Sequence, residues 1–245
     1  MTRTMLGTPF QPAPGLLVIS PSRLRDFHGC RQRFHLTHVM GLRHLGADEA
    51  VTGHGLQVHA ELHARHVDME QHDHAGPLLA ETPDIVPVRR AVAAHSQLCP
   101  AGTATYLGGE LDLRWYLPGK ALLVTGRVDA LWRYPDGTLE IRHYKTGSVP
   151  EGLEEDPGAL LYAVLAAAQQ PERTPVRVVY ERLGSEHPGL ITLEATDELL
   201  RRAYESVLDL AEAMRRERAF PASPLGSRCR HCPFARSCPE AAAPE

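Results

Sequence analysis

The chain has 245 residues, 26 Lys and Arg against 30 Asp and Glu, a net charge of −4 and 43% hydrophobic content. That length buries a substantial core as one domain or one domain plus a small appendage, and the weak acidity excludes a protein that coats nucleic acid through overall positive charge, though not a local basic groove. No run of about 18 apolar residues and no apolar leader occur, so neither a membrane span nor a secretory signal is expected, and the expected compartment is the cytoplasm.

In chain order, residues 1–15 are rich in Pro and Gly and read as a loose tail. Residues 16–240 read as a single domain that ends in a Cys-rich segment, 227–239. "SPSRLRDFHGCRQRFHLTHV" predicts a helix with Ser22 as N-cap and Leu24, Phe27, Arg31 and Phe34 on one stripe. "GHGLQVHAELHARHV" predicts a second helix, and a short third is expected around Arg89 to Gln97. From Thr105 the texture turns to strands. "TYLGGELDLRWYL", "ALLVTGRVDALWRY" and "TLEIRHYKTG" are separated by "PGK" and "PDG", which predicts a three-strand meander with two tight turns. "EEDPGALLYAVLAAAQQ" is helical by its Ala and Leu content, with Pro157 tolerable in the first turn. Two strands, "PVRVVYERLG" and "GLITLEAT", precede a long amphipathic helix from Asp197, in which Leu200, Tyr204, Val207, Ala211 and Met214 recur at helical spacing.

Period two puts Ile141, His143 and Lys145 on one face of their strand and Glu140, Arg142 and Tyr144 on the other. Asp129, in "GRVDALW", lies on the neighbouring strand among apolar residues, where an unpaired carboxylate is costly. An aspartate there would bind a divalent cation, and a lysine beside it would orient water or stabilise charge developing on a phosphate. Lys145 taken alone reads as an ordinary solvent-facing strand lysine.

With its flanking segments, "GRVDALW…LEIRHYKTG" resembles the central hairpin of the PD-(D/E)XK nucleases, in the RecB-like branch that includes CRISPR-associated exonucleases and AddB-type helicase-nuclease subunits. "SPSRLRDFHGCRQRF" is similar to that branch's opening helix with its first cluster cysteine. "GLQVHAELH" is similar to its metal-binding histidine motif, which falls on His59, and "CRHCPFARSCP" to its closing three-cysteine motif. The four collinear segments span roughly residues 20 to 239. The resemblance implies an α/β restriction-endonuclease-like fold, a mixed central sheet flanked by helices with an iron–sulfur-clasped C-terminal segment. It also implies a metal-dependent DNA nuclease, an exonuclease directed at single strands or ends, acting in repair, recombination or CRISPR-related processing with a helicase or other repair protein as partner. The expected catalytic set is Asp129, Lys145, His143 and Tyr162, with His59, Asp129, His143 and Glu110 around Mn2+ or Mg2+.

Two residues depart from the branch. A carboxylate normally stands where this chain has His143, and a glutamine normally stands four residues before Tyr162, where it has Gly158. Histidine suits Mn2+ better than Mg2+. Glu110, Glu154 or Glu155 could supply a replacement acid. The alternative reading is a catalytically degenerate nuclease fold that binds DNA or serves as a scaffold. His59, His63 and His66 fall at i, i+4 and i+7, a spacing that also suggests zinc, but His63 and His66 read as surface residues in a chain with 14 histidines.

Cys229, Cys232 and Cys238 form C-x2-C-x5-C and need a fourth ligand, for which Cys30 is the candidate. Thiolates alone do not distinguish zinc from [4Fe–4S]; the resemblance implies [4Fe–4S], with zinc as the alternative and a structural role. Cys99 reads as a buried small hydrophobe. Arg23, Arg25, Arg31 and Arg33 near Cys30, and Arg228, Arg230 and Arg236 near the other three, would form either a basic surface for a nucleic-acid backbone or a solvated helix face.

Overall fold

The computed structural model describes residues 15–42, 49–67, 74, 76–79, 85–147, 149–150, 152–170, 174–184, 187–230 and 232–241. The loose tail expected for 1–15 lies outside them except at Gly15.

The chain opens with a short strand, β1 (Leu17–Ile19), which the sequence reading left unassigned, and then α1 (Pro21–Gly29). Ser20 rather than Ser22 caps α1, because Pro21 takes the first helical position and leaves the Ser20 oxygen to accept from the Arg23 amide. The predicted single helix breaks at Cys30, whose extended backbone separates α1 from α2 (Arg31–Phe34); α2 runs on as a wide turn over His35–Val39. Next come α3 (Glu49–Val67) and α4 (Ile85–Leu98), each longer than predicted.

The meander forms as expected: β2 (Thr105–Leu117), β3 (Leu122–Arg133) and β4 (Leu139–Lys145). At the second turn Gly137 adopts φ +90°, and Asp136 accepts from the Thr138 amide. α5 (Pro157–Ala167) is capped by Asp156 and followed by β5 (Val176–Arg182), β6 (Gly189–Ala195), α6 (Asp197–Arg216) and the short α7 (Gly226–Arg230).

The described strands form one mixed six-stranded sheet, ordered β1-β3-β4-β5-β6 with β2 also paired to β3. β2 pairs along the whole of β3, whereas β1 takes Leu122–Val124 and β4 takes Ala130–Arg133. β4 and β5 are parallel, joined through α5, as a crossover requires. Apolar residues of α5 and α6 pack with Ile141, Val178 and Leu193 or with α1 and β1. On the other face, Val58 and Leu62 of α3 and Val88 and Val92 of α4 pack on Trp132 and Tyr144. No described helix is long and apolar enough to cross a membrane.

Candidate active site

β2 and β3 change face where they cross the middle of the sheet. Val128 belongs to the α5 core, yet Ala130 and Trp132, of the same strand parity, belong to the α3–α4 core. β2 does the same: Leu111 packs toward α5, while a Cβ on Gly109 would collide with Tyr106 and His63 on the α3 side. Between these residues, at the inversion, lie Glu110 and Asp129, flanked by the paired Gly109–Ala130 and Leu111–Val128. Glu110 has φ +52°, a conformation that costs a residue with a Cβ roughly 1–2 kcal/mol. Such strain persists where the surroundings impose it, commonly at functional sites.

Three ligand atoms converge there. His59 Nδ1 stands 3.6 Å from Asp129 Oδ1 and 3.7 Å from Glu110 Oε1, and all three residues bring ligand atoms within 4.8 Å of one another. His59 Nε2 lies 3.0 Å from the Tyr144 carbonyl. Since a carbonyl only accepts, Nε2 carries the proton and Nδ1 presents its lone pair to the carboxylates. A hydrogen bond on the outer nitrogen is the usual way a metal-binding imidazole is oriented. Two carboxylates and one imidazole fit Mn2+ well and Mg2+ less well. Glu110 therefore faces the same point as Asp129, while Glu155 lines a separate hollow with Arg25 and His28.

His143 stands beside this trio. Its Nδ1 is 3.4 Å from the second Asp129 oxygen, Oδ2, which also accepts the Tyr144 amide at 2.8 Å. The imidazole is 2% exposed, lies 4.1 Å from the Tyr162 ring and 5.6 Å from the Tyr180 ring, and its Nε2 has no hydrogen-bond partner among the described residues. Burial lowers the His143 pKa, Asp129 opposing and Lys145 and Arg25 reinforcing the shift. Burial works against ionised Asp129, but His143, His59 and Lys145 outweigh it and hold the carboxyl at about 2.

Lys145 ends β4 with its ammonium 4.9 Å from the Tyr180 ring centroid. Burial lowers its pKa, Asp129 and Asp156 opposing and Arg25 adding to the effect. Tyr162, from α5, donates to the Arg127 carbonyl at 2.8 Å and so ties α5 to β3 beside Asp129.

Arg25 reaches this region from α1, which no motif indicated. Its Nε and Nη2 donate to the two oxygens of Asp156, both at 2.7 Å, and Nη2 also contacts the Tyr180 hydroxyl. A Cβ on Gly158 would overlap this guanidinium. The missing glutamine thus corresponds to space filled by an arginine from another helix.

Of the arginines expected to form a basic surface, several have protein partners. Arg31 meets Glu217, Arg33 meets Asp26, and Arg23 donates to the Val18 carbonyl. The two ends of the chain do meet: Arg228 donates to the Gly29 carbonyl at 2.9 Å, and the Gln32 amide to the Pro221 carbonyl at 3.3 Å. Cys30, Cys229, Cys232 and Cys238 line one small cavity between these segments. Burial raises the Cys232 thiol; Cys30 and Cys229 add to the rise, against the Phe234 amide and Arg33.

His63 is half-buried beside Gly109. The reading of His66 as a surface residue is wrong: it is 0% exposed, because α3 turns that face onto Tyr144 and α4.

The model of the PD-(D/E)XK nuclease superfamily matches residues 18–239. No curated protein matches the chain. Among solved structures, a Eubacterium rectale protein named "Putative exonuclease" is 12% identical, with a TM-score of 0.50, over 93% of this chain and 90% of that one. The protein SSO0001 is 14% identical, with a TM-score of 0.45, over 92% and 87% of the two chains.

Proposed function

The chain belongs to the PD-(D/E)XK nuclease superfamily, and on that basis we propose that it is a metal-dependent deoxyribonuclease of the RecB-like branch, directed at single strands or free ends. The observation that carries this reading is the convergence of His59 Nδ1 from α3, Glu110 Oε1 from β2 and Asp129 Oδ1 from β3 within reach of one ion, beside β4, which bears Lys145. A divalent cation held there would neutralise charge on the scissile phosphate and lower the pKa of a bound water.

The protein groups have separable tasks. Asp129 is ionised at any working pH and offers Oδ1 to the ion, while Oδ2 is occupied by the Tyr144 amide and His143. His143 fixes that second oxygen and adds no negative charge, so the site carries two carboxylates where the branch carries one more. That deficit favours Mn2+ over Mg2+. Lys145, held against Tyr180, orients the attacking water or stabilises the phosphorane-like charge. Arg25 lines two hollows, one of about 540 Å3 running toward Cys30 and Arg228 and one of about 500 Å3 lined by Arg114, Thr125 and Arg127.

For the four cysteines the reading is a structural [4Fe–4S] cluster. Its support is that Cys30 and the three tail cysteines, which are far apart in sequence, line one cavity.

The test is cleavage of labelled single- and double-stranded DNA by anaerobically purified protein with Mn2+ or Mg2+. Wild type should cut with Mn2+, and Asp129→Ala and Lys145→Ala should each lose about 100-fold or more. Absence of cleavage with either metal, in protein that still carries iron and binds DNA, would overturn the enzyme in favour of a DNA-binding scaffold.

A further inference from the structure

A second group of ligands lies on the α3–α4 side of the sheet, next to the candidate active site along α3. His66 near the end of α3, His74 beyond it, His95 near the end of α4 and Cys99 just after it bring one ligand atom each within 4.8 Å of all the others. His66 and His95 are fully buried. His66 Nε2 is 3.2 Å from His95 Nε2 and 3.5 Å from Cys99 Sγ.

These separations match the edges of a metal tetrahedron. Zn–N bonds of 2.0–2.1 Å and a Zn–S bond of 2.3 Å put two nitrogens about 3.3–3.4 Å apart and a nitrogen and a sulfur about 3.6 Å apart. The outer nitrogens are also held. His95 Nδ1 is 2.7 Å from Glu181 Oε1, and His66 Nδ1 is 3.5 Å from the Tyr144 hydroxyl. Both rings therefore aim Nε2 at the common centre, His95 in the carboxylate–histidine arrangement that orients zinc-bound imidazoles. Glu181 is in turn fixed by buried Arg142, which donates to it at 3.0 Å, to Glu140 at 2.8 Å and to the Leu98 carbonyl at 2.6 Å. His66 Nε2 and His95 Nε2 face each other at 3.2 Å, with Cys99 Sγ beside them. A cation uses both lone pairs at once.

We propose that His66, His74, His95 and Cys99 form a closed structural zinc site, distinct from both the tail cysteines and the His59 group. Four protein ligands leave no open position for water, so the ion has no catalytic part. It pins the end of α3 to the end of α4, and through Tyr144 it reaches β4. His59 and His66 are seven residues apart on α3 and so share a face, about 10 Å apart along the axis. The pinned helix end thereby sets the position of His59 above Asp129.

The experiment is X-ray absorption at the zinc edge, with metal analysis, on full-length wild-type protein produced with zinc and purified anaerobically. The expected result is about one zinc per chain, with three nitrogens and one sulfur in its shell. Asp129→Ala and Cys238→Ser should keep that zinc; His74→Ala, at a half-buried position, and Cys99→Ser should lose it. A shell of four sulfurs would assign the zinc to the tail, and a shell of nitrogen and oxygen only to the His59 group; either overturns the site. So does protein without zinc. None of these readouts depends on DNA cleavage, so this site and the nuclease reading fail separately.

Discussion

Arg25 and Gly158 are sterically coupled: the guanidinium from α1 occupies the volume that any side chain at residue 158 would need. The same guanidinium is fixed bidentately by Asp156, the N-cap of α5. Gly158→Ala should therefore destabilise the protein by about 1–3 kcal/mol, the usual range for overpacking. Gly158→Gln combined with Arg25→Ala should be less destabilised than the sum of the two single changes. Denaturant unfolding of the four proteins measures that coupling, and strict additivity would refute it.

His143→Glu should shift metal preference. It restores a negative charge beside Asp129 and so should raise cleavage supported by Mg2+ relative to Mn2+. Cleavage rates titrated with each metal decide this, and an unchanged metal ratio would count against the charge-deficit account.

Glu110 combines strain with a ligand atom. Glu110→Asn places a residue tolerant of φ +52° there, so the melting temperature should hold or rise while Mn2+ affinity falls at least tenfold. Calorimetry gives both quantities. A loss of stability would show that the glutamate is held by more than the bend.

The pH dependence of stability should contain an Asp156 component. Burial disfavours the ionised carboxylate, but Arg25, the Gly158 amide and Tyr180 lower its pKa below the ordinary 3.8. A carboxylate with a depressed folded pKa contributes stability that is present above the unfolded value and lost as pH falls through the folded one. Wild type should lose stability on acidification below about pH 4, and Asp156→Asn should lose less over the same window. Parallel acid curves would remove Asp156 from the account.

The meander was readable in advance because its strands are rich in β-branched, aromatic and leucine residues and are punctuated by "PGK" and "PDG". Asp129 and Lys145 stood out because charge within such strands is costly. Glu110 was legible as a candidate acid, since the resemblance includes a glutamate there; its left-handed backbone was not, because nothing in "GGELDL" marks a residue that turns against the alternation. Arg25 was hidden by distance, 131 residues from its partner Asp156. His66 was misread for a related reason. It is unremarkable in its own segment, and only the packing of α3 on α4 under Tyr144 buries it. β1 escaped because three residues carry too little periodicity to register.

The change of face at Glu110 and Asp129 also governs how β2 and β3 can align. In strands of uniform alternation, sliding one past the other by two residues restores every side chain to its proper layer, so such slips are cheap and misfolding is easy. Here the inversion points must meet. A two-residue slip would set Glu110 against Arg127 or Leu131, leave the inversions out of phase, and force apolar side chains of one strand into solvent whichever way the other settled. The bend that gathers the acidic side chains is thus a one-position key for strand alignment, and a straightened hairpin would lose its register together with its site.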